Sequence, residues 1–150
     1  MRIVIQRVSE AEVQIRGKLK SRIEKGMLIL LGIEEGDSLS DTEWLCKKII
    51  NLRIFNDAEG IMNQSIIETG GDILLISQFT LTASTKKGNR PSYIRAARPD
   101  IATEMYLEFI QCLENMLSKP LSCGEFGADM KVSLINDGPV TIIIDSKLRE

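Results

Sequence analysis

Four short stretches carry the side chains that could do chemistry. Ser77, Gln78, Phe79 and Thr80 follow the apolar run Ile73-Leu74-Leu75-Ile76. Three polar side chains at the end of a buried strand need partners, because unpaired buried hydroxyls and amides are costly. The stretch therefore reads either as a satisfied core network or as part of a site. A Thr80 nucleophile would need an activating base, and the sequence contains no histidine. That absence removes Ser-His-Asp and Cys-His catalysis and every metal site built on imidazole. Catalysis, if there is any, must use hydroxyls, backbone groups, carboxylates or something that the substrate supplies.

The second stretch, Asn136-Asp137-Gly138-Pro139-Val140-Thr141, is unusual for a hairpin. A two-residue turn favours Asn-Gly or Asp-Gly at its centre, and the added proline lacks an N–H and restricts Gly138. A cis Gly138-Pro139 bond would point two carbonyls the same way, although a structural turn is the simpler reading. The third stretch, Phe126-Gly127-Ala128-Asp129-Met130, offers Phe126 and Met130 as pocket walls or as core. The fourth runs from Ser84 to Pro99 and holds Lys86, Lys87, Arg90, Arg95 and Arg98 without an acid. Lys86, Lys87 and Arg90 are candidate phosphate contacts, and the alternative is a solvated loop. Arg7, at the end of the first strand, can hold backbone carbonyls through its guanidinium. Glycine-rich phosphate loops, HExxH and EF-hand patterns are lacking, so neither a metal nor a cofactor is expected.

These residues need elements to position them. Met1–Val8 and Glu10–Ile15 alternate as strands, and Gly17-Lys18 turns the chain into Leu19–Ile23. Met27–Ile33 is nearly continuous apolar sequence, which suits a central strand covered on both faces. Ser40-Asp41-Thr42-Glu43 matches a capping box and opens a helix to about Ile50. Arg53–Phe55 and Ile73–Ile76 read as strands, the latter with 77–80 as a polar extension. Asp100–Leu117 is an amphipathic helix bracketed by Pro99 and Pro120, and its stripe of Met105, Tyr106, Phe109 and Leu113 is core. Leu121–Phe126, Lys131–Ile135 and Val140–Ile144 complete the set. The predicted class is α+β, with seven or eight strands in an antiparallel or mixed, barrel-like sheet and two packed helices.

The chain has 150 residues and should bury roughly 69% of its unfolded surface, which suits one domain over 1–150. Hydrophobic residues make up 43% and charged residues 27%, which excludes global disorder. No apolar run reaches membrane-spanning length, and no signal peptide is evident, so the cytoplasm is expected. Cys46, Cys112 and Cys123 read as free thiols. The net charge of −2 argues against a sequence-blind nucleic-acid coat and leaves one focused anionic contact at the basic stretch.

Taken together, the motifs resemble those of the D-aminoacyl-tRNA deacylases of the bacterial D-tyrosyl-tRNA deacylase type. The matching pieces are Ile5-Gln-Arg-Val8, Asn51-Leu-Arg-Ile-Phe55, Ser77-Gln-Phe-Thr-Leu81, Lys87-Gly-Asn-Arg-Pro-Ser92, Phe126-Gly-Ala-Asp-Met130 and Asn136-Asp-Gly-Pro-Val-Thr141, in family order. The resemblance implies a cytoplasmic homodimer that hydrolyses the ester between a D-amino acid, or mischarged glycine, and the 3′-adenosine of tRNA while sparing L-aminoacyl-tRNA. It implies that Ser77, Gln78, Phe79 and Thr80 form the catalytic stretch. Gly138 and Pro139 form a cis pair that enters the partner's site and excludes L-side chains, with Arg7 as its brace. Phe126 and Met130 border the adenosine, and neither DNA nor a membrane is implied as partner. The chain departs from the family pattern at Thr82-Ala83-Ser84-Thr85 and at Tyr93, where relatives commonly have Tyr-Ala-Asp-Thr and Phe. A non-catalytic tRNA 3′-end-binding module and a hydrolase for other D-aminoacyl or peptidyl esters are the competing readings.

Overall fold

The computed structural model describes residues 1–149. In chain order the elements are β1 (Arg2–Ile15), β2 (Lys18–Ile23), β3 (Gly26–Gly32), α1 (Leu39–Asn51), β4 (Phe55–Asn56), β5 (Met62–Gln64), α2 (Ile66–Thr69), β6 (Asp72–Ser77), a 3-10 turn (Phe79–Thr82), α3 (Pro99–Leu117), β7 (Ser122–Cys123) and β8 (Met130–Asp145). No helix among the described residues is long and apolar enough to cross a membrane.

β1 organises the sheet. β8 runs antiparallel along the whole of one edge, from Arg2↔Asp145 to Ile15↔Met130. The opposite edge is divided, with Arg2–Val8 pairing antiparallel to β3 and Ala11–Ile15 pairing antiparallel to β2. β6 then joins β3 in parallel, and the short β7 joins β6 in parallel, which makes the sheet mixed. Ser21 Oγ on β2 donates to the Cys123 carbonyl on β7 at 2.7 Å. The sheet thus curls until β2 approaches β7, close to a barrel.

Two apolar clusters follow from this curl. The larger lies between one sheet face and helices α1 and α3, and includes Ile3, Ile5, Ile29, Leu45, Ile49 and Phe109. Each such fully buried side chain contributes about 1.5–3 kcal/mol. The smaller cluster, with Val8, Ala11, Val13, Leu28, Leu74 and Ile76, fills the inside of the curl. A register shift between Val8 and Glu10 exchanges which alternate residues of β1 face which cluster. β3 contributes to both clusters, so its continuous apolar sequence is covered on both sides.

Local readings of the sequence need several corrections, beginning with the expected strand Arg53–Phe55, of which only Phe55 pairs, together with Asn56. β1 is one strand through Ser9, because β8 supports it across the bulge. The capping box uses Ser38 and Asp41 rather than Ser40 and Glu43, so α1 opens at Leu39. A single helical turn at Ile66–Thr69, capped by Ser65 and Glu68, follows the small β4–β5 hairpin and has no strong periodic signal. Of the expected segment Leu121–Phe126, only Ser122–Cys123 pairs as a strand. Finally, 131–135 and 140–144 belong to one strand, since both halves pair with β1. The residues between them form a bulge rather than a hairpin turn.

The start of α1 is electrostatically locked. Asp41 Oδ2 accepts from the Ser38 N–H at 2.9 Å, the Ser38 hydroxyl at 2.8 Å and Lys147 Nζ at 2.7 Å. Burial pushes the Asp41 carboxyl up, but the Lys147 and Ser38 hydrogen bonds outweigh it and hold it well below the usual carboxylate range. An aspartate depressed in this way stabilises the fold fully above its unfolded pKa of about 4, and that stability is lost as pH falls towards the folded value. Asp41→Asn should therefore lower stability at neutral pH and flatten the acid limb of a urea-unfolding series. An unchanged acid limb would exclude Asp41 as its source.

Candidate active site

The parallel pair β3–β6 delivers the first site stretch. Leu31 pairs with Ser77, and one residue later the Gln78 N–H donates to the Leu31 carbonyl at 2.7 Å. There β6 ends, and the polar extension expected after Ile76 is instead a 3-10 turn over Phe79–Thr82. Gly32 makes room for it: a Cβ there would lie 2.9 Å from Leu81 Cβ and 3.1 Å from the Gln78 carbonyl. Arg2, paired with Asp145 at 2.9 Å, donates from Nη1 to the Leu81 carbonyl at 2.9 Å. Inside the turn Leu81 N–H reaches the Gln78 carbonyl. The N–H groups of Phe79 and Thr80, at its start, have no acceptor within the turn.

Ser77, Gln78 and Phe79 line a cleft of about 630 Å³, together with Phe126 and Met130. Leu31 and Ile33 extend its apolar wall from the end of β3. Phe126 leans on Tyr106, with ring centroids 5.8 Å apart, and the buried Tyr106 hydroxyl donates to the Leu75 carbonyl at 3.0 Å. Burial pushes the Tyr106 phenol up, so it remains protonated and a donor. Phe79 is 58% exposed and meets Tyr93 edge to face at 5.0 Å. Met130, the first residue of β8, lies so close to Gly124 that a Cβ there would collide with its sulfur.

Other residues singled out by the sequence lie elsewhere. The Thr80 side chain does not line the cleft, and its hydroxyl accepts a hydrogen bond from the Gln78 amide. Lys86, Lys87 and Arg90 are exposed on a loop closed by reciprocal Ser84–Ser92 backbone bonds of 2.9 Å. Gly138-Pro139 is a cis peptide, with Gly138 at φ +137°, in the bulge of β8 and outside the lining of its own chain's cleft. Arg7 is buried beneath it. Its Nε donates to the Asp137 carbonyl at 2.8 Å, and its Nη1 donates to the Ile54 carbonyl at 2.7 Å and to Asn56 Oδ1 at 3.0 Å.

The whole-chain match decides the family. The family model described as D-Tyr-tRNA(Tyr) deacylase matches residues 4–145. The chain belongs to that family. A D-aminoacyl-tRNA deacylase from Bacteroides thetaiotaomicron is 63% identical over 150 residues, with 100% of both chains covered. The solved structure of a c-Myc DNA unwinding element binding protein is 37% identical with a TM-score of 0.93, covering 97% of this chain and 98% of that one. The fold alone is shared with a probable eukaryotic D-amino acid tRNA deacylase, at 16% identity and a TM-score of 0.80, over 95% of this chain and 97% of that one. Membership of the deacylase family makes the chain an enzyme, a hydrolase.

Sequence reasoning missed four residues in or behind the cleft wall. Tyr93 stood out only as a departure from the family's phenylalanine, yet it packs on Phe79. Ala96 and Ala97 line the wall beside it and carry no chemical signal of their own. Tyr106 reads as core from its helical spacing, which it is, but it also supports Phe126. At the bulge, Arg7→Met would leave the Ile54 and Asp137 carbonyls without their buried donor. It should cost about 2–4 kcal/mol in urea unfolding. A cost below 1 kcal/mol would mean that water replaces the guanidinium.

Proposed function

We propose that the protein hydrolyses the ester joining a D-amino acid, or mischarged glycine, to the 3′-terminal adenosine of tRNA. In this reading it works in the cytoplasm as a homodimer, and residues 1–150 act as one deacylase domain. The observation that carries the reading is the cleft itself, in which Ser77, Gln78 and Phe79 at the end of β6 share one lining with the ring of Phe126 and the thioether of Met130. That wall suits an adenine ring, because aromatic faces stack on bases.

Ester hydrolysis places negative charge on the carbonyl oxygen. The Phe79 and Thr80 N–H groups stabilise that oxyanion, as fixed backbone donors do. Thr80 is a positioning group rather than a nucleophile. Its hydroxyl already accepts from Gln78, and a carboxamide cannot take up a proton. The substrate supplies what the chain lacks, with the terminal ribose 2′-OH orienting and activating the attacking water. Lys86, Lys87 and Arg90 contact tRNA phosphates as exposed cations.

Chirality is read by exclusion. Gly138 and Pro139 lie outside their own cleft, which supports their entry into the partner's, where their carbonyls face the α-carbon. Hydrogen or a D-side chain fits, an L-side chain collides, and no pocket is needed for each side chain. Arg7 holds the bulge in place by its bond to the Asp137 carbonyl.

The test is single-turnover deacylation of D-Tyr-tRNA, L-Tyr-tRNA and Gly-tRNA, repeated with D-Tyr-tRNA ending in 2′-deoxyadenosine. The D-ester and the glycyl ester should be cleaved, the L-ester spared, and the deoxy substrate slowed at least about 100-fold. Inertness towards all of them with tRNA still bound would leave a tRNA 3′-end-binding module. Hydrolysis of both enantiomers would remove the exclusion model, and cleavage of esters lacking the adenosine would point to a more general esterase.

A further inference from the structure

Arg95 stands where three segments meet beside the cleft. Its carbonyl accepts from the Glu35 N–H at 2.9 Å, and the Ala97 N–H donates to the Ile33 carbonyl at 3.0 Å. Residues 95–97 thereby pair antiparallel with the chain that leaves β3. The Arg95 side chain reaches another segment. Its Nη2 donates to the Thr82 carbonyl, at the far end of the 3-10 turn, at 3.2 Å, and lies 3.5 Å from Glu34 Oε1. That carboxylate oxygen is buried and otherwise has no hydrogen-bond partner among the described residues. Three residues before Arg95, Ser92 closes the loop that bears Lys86, Lys87 and Arg90.

Resting on the reading that the turn's N–H groups serve the ester carbonyl, we propose that Arg95, aimed by Glu34, is a positioning residue for the reaction. It fixes the carbonyl end of the Phe79–Thr82 turn, and so the N–H end offered to substrate, and it ties that turn to the basic loop. The last carbonyls of a helical turn have no acceptance partner inside it, so they are the groups an outside donor can grip. Arg2 takes the Leu81 carbonyl from the sheet side, and Arg95 takes the next carbonyl from the loop side. A planar guanidinium can hold a carbonyl and a carboxylate at once, which one neutral donor cannot. Arg95 is half exposed, so its ion pair adds little to global stability. Its effect is on placement, to which rate is far more sensitive.

The competing role for an arginine beside a basic loop is direct phosphate contact, and Glu34 separates the two. A carboxylate that aims Arg95 assists positioning, whereas beside a phosphate it repels. The experiment compares the parent protein with R95Q, R95K, E34Q and the R95Q/E34Q double variant. Single-turnover deacylation of D-Tyr-tRNA is measured over a salt series, with amide hydrogen exchange alongside. The maximal rate should fall about tenfold in R95Q and less in E34Q, with the half-saturating tRNA concentration within about twofold. R95K should recover part of the loss, and the double variant should be no slower than R95Q alone. Exchange at Leu81 and Ala83, whose N–H groups close the turn, should quicken while Tm stays within about 4 °C of the parent. Weaker tRNA binding with a salt slope reduced by about 1, and an E34Q variant without effect, would make Arg95 a phosphate contact and overturn the proposal. Unchanged exchange at Leu81 and Ala83 would overturn it as well. A parent protein that leaves D-Tyr-tRNA intact would instead remove the hydrolase reading of the site, and the exchange comparison would still decide whether Arg95 holds the turn.

Discussion

β6 hydrogen-bonds to β3 in parallel, so both strands leave the sheet at the same edge and their continuations emerge side by side. From β3 come Ile33 and Glu34; from β6 come Gln78 and the 3-10 turn. Loops beyond the carboxyl ends of parallel strands commonly build ligand sites, because nothing at that edge continues the ladder. Here the Gln78 N–H makes one last bond to Leu31 before the chain turns. Gly32 is what lets the turn lie flat against β3. Shift that register by one residue, and Phe79 would no longer share a cleft with Phe126 and Met130.

The side chains that line the cleft are neutral apart from Asp129, which pairs with Lys131 at 2.9 Å. Gln78, Thr80, Phe79 and Tyr93 bring no charge, and the cations stand outside on the Ser84–Ser92 loop. Charge is buried instead at Arg7, where a guanidinium with 6% exposure holds the Asp137 carbonyl of β8 and the Ile54 carbonyl just before β4. A cation in that place is costly unless its donors are used, and three of its hydrogen bonds are made to oxygen. Its value is geometric: it fixes a bulge whose own backbone leaves the β ladder.

Much of the framework was legible because it is local. The apolar run at Met27–Ile33 announces a strand with both faces covered, and Pro99 and Pro120 bracket α3. Two features were not. Ser77–Thr80 reads as a polar extension of the strand, whereas the chain forms a 3-10 turn that lies close on Gly32 and has its carbonyls held by the distant donors Arg2 and Arg95. The Gly138-Pro139 pair reads as a break, yet both flanks of β8 pair with the same strand, a fact that belongs to β1 rather than to the sequence around Pro139. The candidate cleft was legible in parts. Ser77, Gln78, Phe79, Phe126 and Met130 share one cleft, as their motifs suggested, whereas Tyr93 and Tyr106 act through neighbours that no spacing reveals.

β8 also works as a ruler. Met130 touches the cleft at its first residue, and Gly138 sits in its bulge eight residues later. The ladder-paired residues from Met130 to Asn136 alone span roughly 20 Å at about 3.3 Å per extended residue, before the bulge begins. One chain therefore carries Met130 in the cleft wall and the cis Gly138-Pro139 pair well outside it, far apart along the same strand. A one-residue insertion between them would leave both motifs intact in sequence and put them out of step in space.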